Sequence, residues 1–121
     1  SCQSASLISR TFLNCENLRI IGAPDAALYS INYEPSETFT HCFKLEEVYG
    51  IIRHSRSFSV ADSPLLSLNN FRRWIATASN DNAIVITVHP DVYSRLTDES
   101  NAAWHQVMLD AAGKKITFAT V

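Results

Sequence analysis

The chain has 121 residues, 46% of them hydrophobic and 18% charged, with a formal net charge of −2. That length suits one domain able to bury about two-thirds of its unfolded surface without staples, and a charge content below the roughly 25% of ordinary domains fits either a surface rich in Ser, Thr and Asn or one partly covered by a partner. The slight negative charge excludes a global basic field for polyanions, and no run approaches the roughly 18 apolar residues of a membrane span.

In chain order, Leu7, Ile8, Phe12, Leu13 and Cys15 recur at helical spacing and predict a short amphipathic helix over 5–15. A brief strand follows at 18–21, closed by the turn residues Gly22, Pro24 and Asp25. Over 26–33, Tyr29, Ile31 and Tyr33 alternate with polar neighbours, and 38–44 alternates Phe39, His41 and Phe43 with Thr38, Thr40 and Cys42. With the turn at 34–37 between them, the two runs predict an antiparallel hairpin. Leu45, Val48, Tyr49 and Ile52 then share one helical face, and the early acids Glu46 and Glu47 predict a short helix over 45–53. The stretch 54–62 reads equally as a strand or an extended loop.

Ser63-Pro64 predicts the start of the longest amphipathic segment, 65–79, with Leu68, Phe71, Trp74, Ile75 and Ala78 in one stripe. Asn80-Asp81-Asn82 ends it. The β-branched run 83–88 is apolar on both faces, as expected of a central strand. Pro90 opens a helical turn through Leu96, with His89 at the strand end and Asp91 helping to start the turn. Thr97, Asp98 and Glu99 predict the cap of a helix to Ala112 with Trp104, Val107, Met108 and Ala111 inward. Gly113 fits a left-handed helix end, and Lys114 and Lys115 suit its negative pole. Residues 116–121 form a last strand, joined to 83–88 by a parallel, right-handed crossover.

Together these elements predict one α+β domain over 1–121, a two-layer sandwich with a mixed sheet of about four or five strands and helices mainly on one face. Its core is Leu68, Phe71, Trp74 and Ile75 on the central strand, beside Trp104 and Met108. The strand–helix–strand rhythm of VITVHPDVYSRL and GKKITF resembles modules of several unrelated bacterial assembly and RNA-processing proteins. No functional residue transfers on that likeness.

Cys2, Cys15 and Cys42 form no C-x-x-C pair, so a zinc knuckle and a thioredoxin-type redox site are excluded. They read as independent thiols, with a Cys15–Cys42 disulfide as the alternative in an exported chain. Cys2 followed by Gln-Ser-Ala-Ser resembles the start of a mature bacterial lipoprotein, so the expected location is cytoplasmic, or periplasmic and lipid-anchored if Cys2 is acylated. Both ends read as trimmed from a longer chain.

The densest polar cluster is Arg53-His54-Ser55-Arg56-Ser57, with Arg72 and Arg73 on the following helix. Arginine forks recognise carboxylate or phosphate, so Arg53, His54, Arg56, Arg72 and Arg73 are the candidate ligand residues if loop and helix fold together. The alternative has Arg72 and Arg73 flanking the buried stripe with their stems packed along it. The four histidines lack metal-ligand spacing. With three scattered glycines there is no phosphate-cradling loop, and no nucleophile elbow occurs. No catalytic residue, metal or cofactor is expected. The composition points first to a non-catalytic protein-interaction or assembly domain, taken to be bacterial, with a protein partner or a second copy bound at a sheet edge or low-charge surface. A small anion-binding or catalytic domain on the arginine cluster is the alternative, and single-stranded nucleic-acid binding through Tyr29, Tyr33 and Tyr49 the third reading.

Overall fold

The run Ile84-Val85-Ile86-Thr87-Val88 has the β-branched composition of a strand and organises the larger part of the fold. The computed structural model describes residues 15–24, 29–30, 39–53 and 55–121. Its elements are β1 (Ile20–Ile21), β2 (Tyr29–Ser30), β3 (Glu47–Val48), β4 (Gly50–Ile51), β5 (Phe58–Val60), α1 (Leu68–Thr77), β6 (Ile84–Val88), α2 (Pro90–Thr97), α3 (Ala102–Ala112) and β7 (Ile116–Thr120). The architecture is mixed α and β, and among the described residues no helix is long and apolar enough to cross a membrane.

β6 lies between β5 and β7, parallel to both. Parallel neighbours need crossover connections, and helices supply them. α1 links β5 to β6, and α2 with α3 links β6 to β7. The register puts Phe58, Ile86 and Phe118 in one row, with Ile84 beside Ile116 and Val60 beside Val88. This face packs on Phe71, Trp74 and Ile75 of α1, Val92 and Leu96 of α2, and Val107 and Ala111 of α3. Phe71 is the hub of the aromatic packing, edge-on to Trp74 and Phe118 and tilted against Trp104. Leu68, Trp104 and Met108 border the core rather than fill it.

Among the described residues the remaining pairs are β1 with β3 and β2 with β4, both parallel. The expected single mixed sheet of four or five strands is therefore not seen; one three-stranded and two two-stranded sheets stand in its place. The predicted hairpin fails because residues 39–44 are turns: Cys42 N–H donates to Phe39 O, Leu45 N–H to Cys42 O, and His41 sits at φ 62°. The predicted helix over 45–53 fails for a tertiary reason. Val48 is held extended because its N–H donates to Asn70 Oδ1 at 2.7 Å and its carbonyl accepts from Trp74 Nε1 at 2.9 Å, all buried. The sheet pairing of its neighbours with β1 and β2 completes the choice.

Helix boundaries also move. Ser67, not Ser63, caps α1, accepting from Asn70 N–H at 3.0 Å, while Ser63 is buried and donates to Cys42 O. Thr97 belongs to α2, with its hydroxyl on Tyr93 O, and α3 starts after Asn101. Gly113 keeps a right-handed φ of −67°; the left-handed residue is Lys115 at φ 60°. His89, expected only as a strand end, is the cap of α2, its Nδ1 accepting from Asp91 N–H at 3.0 Å. The predicted helix over 5–15 lies outside the described residues except for Cys15. Cys15 is disulfide-bonded, so the cysteines are not the independent thiols expected, and Cys42 retains a buried thiol, so the two are not bridged to each other either. Burial pushes the Cys42 thiol up to about 11, against a lowering hydrogen bond from the Cys15 backbone and with a raising contribution from Asp62.

Candidate functional site

The helix α1 carries Arg72 and Arg73 at adjacent positions, about 100° apart around its axis, and the two face different neighbours. Arg73 is half-buried. Both of its terminal nitrogens lie 3.1 Å from Glu47 Oε2, one also reaches Val48 O at 3.0 Å and Asn70 Oδ1 at 2.9 Å, and its guanidinium stacks 4.1 Å from the centre of the Tyr49 ring. Ser67 donates to the other Glu47 oxygen. With both terminal nitrogens on one carboxylate oxygen and the other oxygen held by Ser67, the charge-assisted contact fixes β3 against α1. Further backbone bonds, Ser67 N–H to Glu46 O and Ser79 N–H to Ile52 O, continue the seam at both ends. Arg73 is thereby a strut of the fold. Two buried donors in this seam, Asn70 Nδ2 and Arg73 Nε, make no hydrogen bond among the described residues.

Arg72 is exposed and lines a different surface, the groove between α1 and α3. This groove encloses about 600 Å³ over Ile75, Ala76 and Val107, with Leu109 and Asp110 on its α3 side. Lys114 closes one end, its Nζ donating to Ala78 O at 2.9 Å and Ala76 O at 3.4 Å. The lysine thus neutralises the carbonyl end of α1, rather than that of its own helix as its sequence position suggested.

The loop arginines sit elsewhere. Arg53 and Arg56 are exposed, and His54 lies outside the described residues. Ser55 fixes the loop against the residues after α1, its N–H donating to Asn80 Oδ1 at 2.5 Å and its carbonyl accepting from Asn80 Nδ2 at 3.1 Å. Asn80 lies three residues past the last residue of α1, so the loop docks beyond the end of the helix and not beside Arg72. The candidate residues are therefore spread over three places: Arg53 and Arg56 by the end of α1, Arg72 in the groove, and Arg73 in the seam. Among the described residues no three His, Cys, Asp or Glu side chains converge as a metal site would require. His41 is exposed in its turn, its ring stacked on Phe43.

The surface that sequence patterning missed is the second face of the sheet. Ser59, Thr87 and Ala119 form one row of it and Val85 with Thr117 the next, with Ser57 at the margin. Among these described strand residues none carries a charge. Val85 is 39% exposed, and Thr117 and Ser57 are exposed as well. The β6 run is apolar enough to read as buried on both faces, and the structure corrects this: one face is covered by helices, while on the other Val85 is exposed, Thr87 is half-buried, and no described element lies over them. Among the described residues nothing pairs with the outer edge of β7. Ile84 N–H donates to Lys115 O, so odd-numbered β7 residues turn their backbone groups to β6 and Ile116, Phe118 and Thr120 turn theirs outward. The signal available in sequence was the alternation Ile116-Thr117-Phe118-Ala119, which assigns Thr117 and Ala119 to the face opposite the core.

Comparison of the chain with protein-family models, with curated proteins and with solved structures returns no match, so the functional reading rests on its own residues.

Proposed function

We propose that the chain is a non-catalytic protein-interaction or assembly domain that receives its partner, another chain or a second copy, on the open face of the β5–β6–β7 sheet and along the β7 edge. The observation that carries this reading is the one-sided cover, among the described residues, of an all-parallel sheet. Such sheets are normally covered on both faces, because their strands bury apolar side chains on each. Here the second face is small, uncharged and partly apolar, a surface that loses little by desolvation when a partner covers it. The unpaired backbone groups of β7 add the directional hydrogen bonds by which an extended segment joins a sheet.

A photo-reactive residue at Thr87 or Val85 tests this in the full chain. A partner or second copy should be captured there, and capture should be lost in Thr120→Pro, which removes an outward β7 donor, and in Thr117→Lys, which charges the face. Capture should persist in Arg53→Ala, which changes an exposed loop residue that belongs to none of the three strands. No capture, or capture indifferent to both sheet substitutions, overturns the proposal.

A further inference from the structure

We propose that the groove between α1 and α3 is a binding site for a single-headed amphipathic carboxylate, an acyl chain of medium length whose carboxylate pairs with Arg72. This site is independent of the sheet surface and shares no residue with it. At about 600 Å³ the groove falls within the roughly 300–1,000 Å³ range of small-molecule sites. Its floor is hydrocarbon, from Ile75 and Ala76 on α1 and Val107 on α3. Leu109, 54% exposed, stands on the α3 wall with apolar surface that an acyl chain would cover.

The charges select the head group. Arg73 is consumed by Glu47, and Arg19 pairs with Glu46, but Arg72 makes no hydrogen bond or ion pair among the described residues. It offers a complete guanidinium fork at the groove wall, the geometry that matches a carboxylate. At the other end Lys114 covers the α1 carbonyls, removing the negative pole that would otherwise repel an anion. Asp110, engaged by Gln106 Nε2 at 2.8 Å, places a fixed negative charge on the α3 side. That charge disfavours a second anionic group, which is why one head and an apolar tail fit best. The outer sheet face, with no charge among its described strand residues, has no comparable anchor.

Decanoate is the probe, titrated into the isotope-labelled full chain and followed by amide chemical shifts, with decanol and acetate as parallel arms. The proposal predicts saturable shifts at Ile75, Ala76, Val107 and Leu109 with decanoate, and none with acetate. Decanol should bind about tenfold more weakly, and Arg72→Gln should weaken decanoate by about tenfold while leaving decanol unchanged, the loss expected for one charge-assisted pair. Ala76→Trp and Leu109→Asp, both at exposed positions, should each abolish decanoate binding. Absence of saturable shifts, shifts confined to the sheet, equal affinity for decanol, or an Arg72→Gln variant that binds decanoate normally each overturn it.

Discussion

The two faces of the β5–β6–β7 sheet share one backbone and differ by a single residue of phase. On one, Phe58, Ile86 and Phe118 lie in register beneath three helices, and Ile86 and Val88 are wholly buried. On the other, Ser59, Thr87 and Ala119 lie in register beneath nothing described. The contrast separates two demands on the same strands. The inner face fills a jigsaw with large side chains, which makes the fold specific. The outer face is built from small, uncharged side chains that tolerate either water or a neighbour, which is what a contact surface needs. The same division occurs along α1, where adjacent arginines have opposite fates: Arg73 is a strut and Arg72 is exposed.

The sharpest way to break this contrast is to truncate one residue on each face at the same level of β6. Ile86→Ala should cost about 2–5 kcal/mol, since it opens a cavity under the helices. Thr87→Ala, its neighbour facing outward, should change stability by no more than about 0.5 kcal/mol. Urea unfolding of the two variants checks both. Equal losses would mean that the outer face is as buried as the inner one.

The arginine pair gives the next largest effect. Arg73→Gln should destabilise by about 2 kcal/mol, because it leaves the half-buried Glu47 without its cation and Val48 O with one donor fewer. Arg72→Gln should stay within about 0.5 kcal/mol. Matching losses in the two variants would show that the helix does not divide its arginines as described.

How much of this was legible in the sequence follows from which forces wrote it. Elements governed by side-chain period and β-branching were readable: α1 by its Phe71–Trp74–Ile75 stripe, β6 by Ile84–Val88, and β7 by its alternation. Elements governed by tertiary capture were not. Val48 and its neighbours have helical spacing, yet Asn70 and Trp74 from a distant helix claim the backbone groups that a helix would have used. Cap positions slipped for a related reason. Ser63 has the composition of a cap, but its hydroxyl is taken by Cys42 O, leaving Ser67 to start α1. Of the candidate site, the arginines were visible as a cluster in sequence, but their division depends on helical phase and on Glu47. The open face could be read from the alternation of β7, although nothing in sequence marks which face the helices will choose.

A pH-dependent effect asks whether residues 39–52 belong to the same core as the inner face. Cys42 is fully buried, and burial raises its thiol to about 11. Below about pH 8.5 the thiol is protonated in folded and unfolded chains alike, and its contribution is fully present. Between about pH 8.5 and about 11 the unfolded chain releases a proton that the folded chain keeps, so stability falls as pH rises through that window. The stability advantage of wild type over Cys42→Ala, measured by urea midpoints, should therefore narrow from pH 8 to pH 11. A constant difference would place Cys42 in contact with solvent.

Whether the outer face serves association and not folding is decided by Thr117→Lys measured for both properties. Urea unfolding and sedimentation of the full chain with its captured partner, or with itself, are to be compared against wild type. The expected result is a stability within about 0.5 kcal/mol of wild type, as for an exposed strand position, together with association weakened at least about tenfold by the buried charge. Unchanged association, or a loss of stability as large as that of Ile86→Ala, would contradict it.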